Sequence, residues 1–506
     1  MQETLVPIRL PPGIFRNGTR EDAAGRWYAG NLMRWVEGYP QPIGGWREAR
    51  SSAGGALGLL TASLTARFNS ALAWRRNNGD TRLCIAGNES IFVFTGEIVG
   101  GNTVNIGGGS LALVTGGATS VMSGATYGAG LYGDGPYGAG SGALALVEAA
   151  TWQLDTFGEV LLGVLSTDGR LLQWNGVTSA MTAVTGAPTD NIGVVVTPER
   201  FVVVLGADGD ARKVEWPDQE SLTVWSPLTT NQAGGFTLST AGRIRCGLRT
   251  KRETLIWTDV DLHTMTYIGG SLVYSFAQAG DKCGIIGPHA MAASDTQVFW
   301  MGRNAFFMYD GFVQPLACDV HDYVFEDFNA LQTAQVWTTT NAEFGEITWH
   351  YCSAGSTDPD RYVTYNQFQK HWTYGALDRT CGVDAGVYGR PVMVSVDNHL
   401  YEHEIAEDRG DETPFLESGP VTLDPDRVMR IQRIVPDGGT LAAANISVYT
   451  SMWPVDTETL HGPYSLANPT DVRLSARRVR LRIEEAQAVS WRVGTPSLGV
   501  LPLGRR

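Results

Sequence analysis

Histidine is the most versatile catalytic side chain at neutral pH, and eight are dispersed through the 506 residues. Only His399 and His403 stand close, at the i, i+4 spacing that lets two imidazoles on one helical face share a metal ion. The neighbouring Asp397-Asn398 and the flanking apolar runs read as a strand instead. There the two rings would sit about 13 Å apart, too far for one ion. The six cysteines (Cys84, Cys246, Cys283, Cys318, Cys352 and Cys381) are widely separated, with no C-x-x-C pair. That scatter reads as buried thiols, not as a disulfide frame or a zinc site. The sequence has no G-x-x-x-x-G-K-[ST] phosphate loop, no H-E-x-x-H zinc helix and no G-x-S-x-G elbow. Among 52 acidic residues, no spacing singles out a general acid and a nucleophile.

Ser166–Trp174, S-T-D-G-R-L-L-Q-W, comes nearest to an enzyme signature. It approaches the S-x-D-x-G-x-x-W box of sialidase propellers, but Gly follows Asp directly and Trp falls one position late. It also occurs once, where that box is repeated. The expectation is therefore a non-enzyme without cofactor, metal or catalytic residue.

Composition narrows the class. Apolar residues make up 43% and charged residues 18%, a globular balance. The 61 glycines and 15 tryptophans suit a protein of many turns and aromatic strands. No uncharged apolar run reaches the length of about 18 residues that a membrane helix needs, and MQETLVPIRLPPG lacks the layout of a secretion signal. Folding in a cytoplasm and no membrane anchor are expected. A net charge of −14 argues against a sequence-reading nucleic-acid binder. It does not argue against DNA nearby, because a conduit that lets DNA slide should repel phosphate.

The elements expected to position any site are short strands. Apolar runs split by tight turns recur, as in Arg82–Phe94, Glu159–Trp174, Arg200–Trp216, Gln297–Gly311 and Pro391–Glu404. Turn residues such as Asp168-Gly169 and Asp208-Gly209 supply the positive φ of a hairpin. Turns near Asn88, Asp168, Asp208, Asp261, Asn304, Asp358 and Asn398 follow one another, from Asp168 onward, at roughly 40 to 55 residues. A four-stranded propeller blade needs about 40–50 residues. The fold class expected is all-β: a β-propeller of about seven blades, six to eight allowed, over 51–414. A set of β-sandwiches with coincidental spacing is the competing architecture.

Two flanks and one insertion complete the organisation. Residues 1–50 are dense in Pro, Gly and Asn, and read as an extended arm with short helical turns near Ala23–Trp35. Its aromatics predict packing against another surface. Phe15, Arg16, Trp27, Trp35 and Trp46 are its candidate subunit contacts. Between about 100 and 140 lies a Gly/Tyr-rich insertion with Tyr127, Tyr132 and Tyr137 five residues apart, a candidate channel loop. Residues 415–506 read as an antiparallel β-sandwich. In it Val479, Leu481 and Ile483 alternate with Arg478, Arg480 and Arg482, a strand with one basic face that is either solvated or set against an acidic partner subunit.

The segment Gly13–Glu48, GIFRNGTREDAAGRWYAGNLMRWVEGYPQPIGGWRE, resembles the opening of a family of tail structural proteins of tailed bacteriophages. That family places G-x-x-R-N-G-T before G-R-W, V-R-W/F and G-G-W. Val298–Leu316 is similar to its propeller blades. Phe415–Pro420, Ile434–Gly439, Arg477–Ile483, Trp491–Pro496 and the final Gly504-Arg505-Arg506 are similar to its ending. More distantly, the whole resembles the packaged-DNA stabilisation and tail-nozzle (hub) proteins of short-tailed phages. The resemblance implies a virion structural protein in the tail, assembled in the host cytoplasm. It implies a homohexamer that contacts the head-to-tail adaptor and other tail proteins and passes double-stranded DNA without specific binding. A host-recognition or sugar-binding propeller at the tail tip is the alternative, with a sugar-cleaving one behind it.

Overall fold

The computed structural model describes residues 3–49, 67–88, 91–95 and 148–504 (apart from 179, 407, 425 and 440–442), with short strands between 98 and 147. Tyr127, Tyr132 and Tyr137 lie outside the described residues. The described part is all-β in character, with one α-helix of six residues, α1 (His321–Glu326).

Most of the chain folds into a succession of four-stranded antiparallel sheets. Their first strands begin at Phe68, Trp152, Gly193, Ile244, Met291, Trp337 and Arg379. Within each sheet the strands pair in chain order, up and down, and the tight turns foreseen in the sequence join the second strand to the third. Val160–Leu165 and Leu171–Trp174 flank Asp168-Gly169, and Val202–Leu205 and Lys213–Trp216 flank Asp208-Gly209. The first strands face a common axis, where one cavity is lined by residues from every sheet, including Asn69, Gln153, Val194, Leu248, Met291, Thr338 and Gly382. Up-and-down sheets arranged radially around an axis form a β-propeller.

Indole groups fasten neighbouring sheets. Trp152, Trp300, Trp349 and Trp372 are fully buried, and each donates its Nε1–H to a backbone carbonyl: Gly87 at 2.9 Å, Cys283 at 2.8 Å, Ala290 at 3.1 Å and Ala317 at 2.8 Å. A buried indole is apolar except for this one donor, so a single carbonyl satisfies it. The six cysteines are free thiols, five buried and Cys318 half-buried. Burial pushes their pKa values up, Cys246 and Cys381 to about 12.

The sheet that starts at Arg379 is completed from the other end of the chain. Its fourth strand is Gly45–Glu48, antiparallel to Leu400–Ala406, with His403 opposite Trp46 and Tyr401 opposite Glu48. Two further sheets also mix the ends of the chain. One runs Thr4–Pro7, Ser497–Gly504, Val428–Val435, Thr470–Ala476; the other contains Trp27–Asn31, Phe415–Ser418, Arg478–Glu485, Ala444–Ser451 and Thr459–Ser465. Ile431, Leu474, Leu498 and Val500 of the first share a core with Ile446, Val448, Leu481 and Ile483 of the second.

These pairings correct the expected organisation. Residues 1–50 are not a separate arm, and the C-terminal unit is not 415–506 alone, because strands from 4–31 are built into it. The helical turns expected near Ala23–Trp35 are also displaced. A 3₁₀ turn spans Arg20–Ala23, and a hairpin follows, with Val36 opposite Tyr39 across a two-residue turn in which Glu37 and Gly38 both have positive φ. Such a turn matches the twist of the flanking strands, so Trp35-Val36 is drawn into a ladder and not a helix. Among the described residues, no helix is long and apolar enough to cross a membrane.

Candidate functional site

The segment that carries the family resemblance forms a strap across the propeller and the C-terminal sheets. Gly13 starts it at φ +90, with its α-carbon so close to His371 that a β-carbon would lie 2.6 Å from that side chain. Only glycine allows both the backbone angle and the approach. Ile14 N then donates to Trp372 O at 2.8 Å, and Phe15 N to Trp27 O at 2.8 Å. Half-buried Phe15 lies under the Arg26 guanidinium, 4.6 Å from the ring centre. Arg16 stacks over Tyr28 at 4.1 Å and donates to the Tyr374 hydroxyl at 3.3 Å. Asn17 and Gly18 clasp α1: Asn17 Nδ2 donates to Cys318 O at 2.7 Å, and Gly18 N donates to Asp322 Oδ2 at 2.9 Å. That last bond holds the Asp322 carboxyl below its ordinary pKa.

Further along, Trp27 and Trp35 are buried, and Trp35 meets the His371 ring edge-on at 5.5 Å. Trp46 is half-buried between the His403 ring at 5.4 Å and the Arg379 guanidinium at 5.1 Å. Phe15, Arg16, Trp27, Trp35 and Trp46 thus all pack on their own chain, Trp46 apart from the others in the last sheet. The surface expected to belong to another subunit is supplied by strands more than 300 residues away.

One residue of the strap gave no signal in the sequence. Arg34 is buried, and its fork donates to two carboxylates. Nε and Nη2 reach Glu346 at 3.1 and 2.7 Å, while Nη1 and Nη2 reach Glu404 at 2.9 and 2.6 Å. Gly44 N adds a bond to Glu404 at 2.9 Å, and the Phe344 ring lies 3.9 Å from the guanidinium. Burial alone would depress the Arg34 pKa, but the two carboxylates outweigh it and hold it above the usual range. Burial raises the Glu346 carboxyl against the pull of Arg34. Fixed, planar, five-donor chemistry is what lets one arginine serve two acids at once.

The arginine strand is also consumed internally. Arg480 donates to Glu417 at 2.6 Å and Glu458 at 2.7 Å, and lies 4.1 Å over the Tyr449 ring. Arg482 reaches Glu417 at 2.7 Å and Glu484 at 2.8 Å, and Arg478 pairs with Glu21. Burial pushes Glu458 upward, yet the hydrogen bond and charge of Arg480 prevail and keep it below its ordinary value. The basic face expected to meet solvent or an acidic partner meets acids of the same chain. Arg478 and Arg480 are buried, which strict alternation did not anticipate.

His403 lies on the strand Leu400–Ala406 and His399 immediately before it, in an extended segment and not on a helix. His399 Nδ1 contacts Glu48 Oε1, and His403 accepts from Arg379 Nε at 3.0 Å. Burial depresses the His403 pKa far below normal. On the axis, the cavity is about 340 Å³. His289 donates from Nε2 to Trp152 O at 2.8 Å there, and burial pushes it down to about 4. A volume of that size holds roughly ten waters at about 30 Å³ each. A DNA duplex, whose major groove alone is about 12 Å wide, does not fit.

No family model and no curated protein matches this chain. Among solved structures, the chain is similar to the Pan2 WD40 domain of Neurospora crassa, at 7% identity and a TM-score of 0.38, over 66% of this chain and 89% of that one. It is also similar to BamB from Moraxella catarrhalis, at 12% identity and a TM-score of 0.34, over 70% and 97% of the two chains. Both similarities are distant, and the propeller assignment stands on the strand pairing itself.

Proposed function

We propose that this chain is a non-catalytic structural protein of a bacteriophage tail, a nozzle or hub subunit. It is a seven-bladed propeller, closed by Gly45–Glu48 as the outer strand of the last blade and joined to a C-terminal β-sandwich that takes its edges from the N-terminus. The observation that carries the reading is the place of Gly13–Glu48. The stretch most like the tail family is the one that closes the ring, clasps α1 and buries Arg34 between two blades' carboxylates. Those residues are the fastening of this particular architecture, so their likeness bears on the whole chain and not on a generic blade. A homohexamer beneath the head-to-tail adaptor would pass DNA between protomers, since the axial cavity of each propeller is too small. A net charge of −14 suits a wall that must not grip phosphate.

Antibody labelling of purified virions in the electron microscope tests the position, and mass measurement of the purified chain tests the ring. Label at the base of the tail and a six-fold mass are expected. Label confined to fibres or the distal tip would move the protein to host recognition, and absence from virions would end the structural reading.

A further inference from the structure

One cleft lies away from the strap, on the face of the propeller opposite the second-to-third-strand turns. It measures about 970 Å³ and is built from the first-to-second-strand turns of four successive sheets, around Gly158, Pro198, Arg252 and Asp295. Volumes of about 300–1,000 Å³ are those of small-ligand sites. Arg200, Arg249, Lys251 and Arg252 reach it together with the carboxylates Glu253, Asp295 and Asp310.

The polar groups are fixed before any ligand arrives. The Tyr309 hydroxyl donates to Glu253 Oε1 at 2.6 Å, and Thr250 Oγ1 donates to Glu253 O at 2.7 Å, so the turn and its carboxylate are held from both sides. Arg249 is held by Val196 O at 3.0 Å and lies 4.0 Å from Asp155. Lys251 pairs with Asp295, and Arg200 with Glu220. The exposed Arg252 guanidinium has no ion pair or hydrogen bond among the described residues, although it stands close enough to the Tyr309 hydroxyl to act on its charge.

We infer that this cleft binds an acidic oligosaccharide. A sugar acid's carboxylate suits the fork of Arg252 with Arg249 beside it. Its hydroxyls donate to Asp310 and to the second oxygens of Glu253 and Asp295, whose first oxygens already accept from Tyr309 and Lys251. A phosphodiester chain of DNA would meet those three carboxylates with charge repulsion and no hydroxyl to offer. The inference goes beyond the tail reading, and virion position and sugar binding fail independently of each other.

Isothermal titration of the full chain tests it with uronate hexasaccharides from alginate and hyaluronan and with a sialic acid trimer. A neutral chitin hexamer, hexaglutamate and a 12-base-pair duplex serve as competitors. At least one acidic sugar should bind, the neutral hexamer should not, and Arg252→Gln should weaken binding about ten-fold or more with an unchanged melting temperature. Arg249→Gln should weaken it as well. No binding by any acidic sugar, equal binding of the neutral hexamer, or full affinity in both variants overturns the inference. Preference for hexaglutamate or the duplex over every sugar also overturns it, in favour of an acidic peptide or a nucleic acid.

Discussion

Replacing Arg34 by Met isolates the fastening of the strap. Methionine keeps an unbranched apolar stem, so the change removes charge more than volume. The side chains of Arg34 and Glu346 are 5% and 9% exposed, and four charge-assisted hydrogen bonds run from the guanidinium to Glu346 and Glu404. Without it, two carboxylates are left without their counter-ion, Glu346 in a site that water scarcely enters and Glu404 with a side chain 21% exposed. Removing one partner of a buried ion pair costs about 3–5 kcal/mol, a large part of the roughly 5–15 kcal/mol that holds a domain together. Urea unfolding followed by tryptophan fluorescence should show a loss of that size at pH 7. The pH dependence gives the cause. In the variant, burial acts on Glu346 unopposed, so its folded-state pKa rises further above the unfolded value. The folded state then binds the proton more tightly, and the penalty is full above the folded pKa and fades as pH falls through it. The gap between wild type and R34M should therefore narrow from pH 7 to pH 5. The triple variant R34M/E346Q/E404Q, which buries no charge, should recover part of the loss. A loss below about 1 kcal/mol, a gap that does not change with pH, or a triple variant weaker than R34M would refute the reasoning.

Three other perturbations follow from the same packing. Deleting residues 1–48 removes the fourth strand of the closing sheet and one strand from each C-terminal sheet, so circular dichroism and limited proteolysis should show a largely unfolded or aggregated product; a soluble, protease-resistant truncation would mean the strap is only an attachment. Gly13→Ala should cost about 1–3 kcal/mol in urea unfolding, from the positive φ and the contact with His371, and a neutral effect would place the backbone elsewhere. Burial lowers His289 and His371 to about 4 and His350 to about 3, and holds His403 well below its ordinary value. The unfolded chain therefore binds more protons between about pH 6.5 and 4, and stability should fall on acidification by up to about 1.4 kcal/mol per pH unit for each ring. A melting temperature that stays flat from pH 7 to pH 5 would contradict that burial.

The central hairpins were legible residue by residue. Asp168-Gly169, Asp208-Gly209, Asp261, Asn304, Asp358 and Asn398 all fall between second and third strands, because a hairpin is local: its turn residues and its two apolar runs lie within about twenty residues. Their spacing carried the all-β architecture with them. Pairings across hundreds of residues left no local trace. Nothing in G-G-W-R-E says that Trp46 will face His403, and nothing in R-W-V says that Arg34 will find Glu346 and Glu404. The alternation around Arg480 was read correctly as a strand, yet its exposure was not, since alternation tells which residues share a face and not what covers that face. Two acids brought from Glu417 and Glu458 cover it here. Local pattern decided the strands and turns of this protein; the ring closure, the strap and the buried charges were decided only by tertiary structure, because desolvation and strand pairing depend on what the rest of the chain brings alongside.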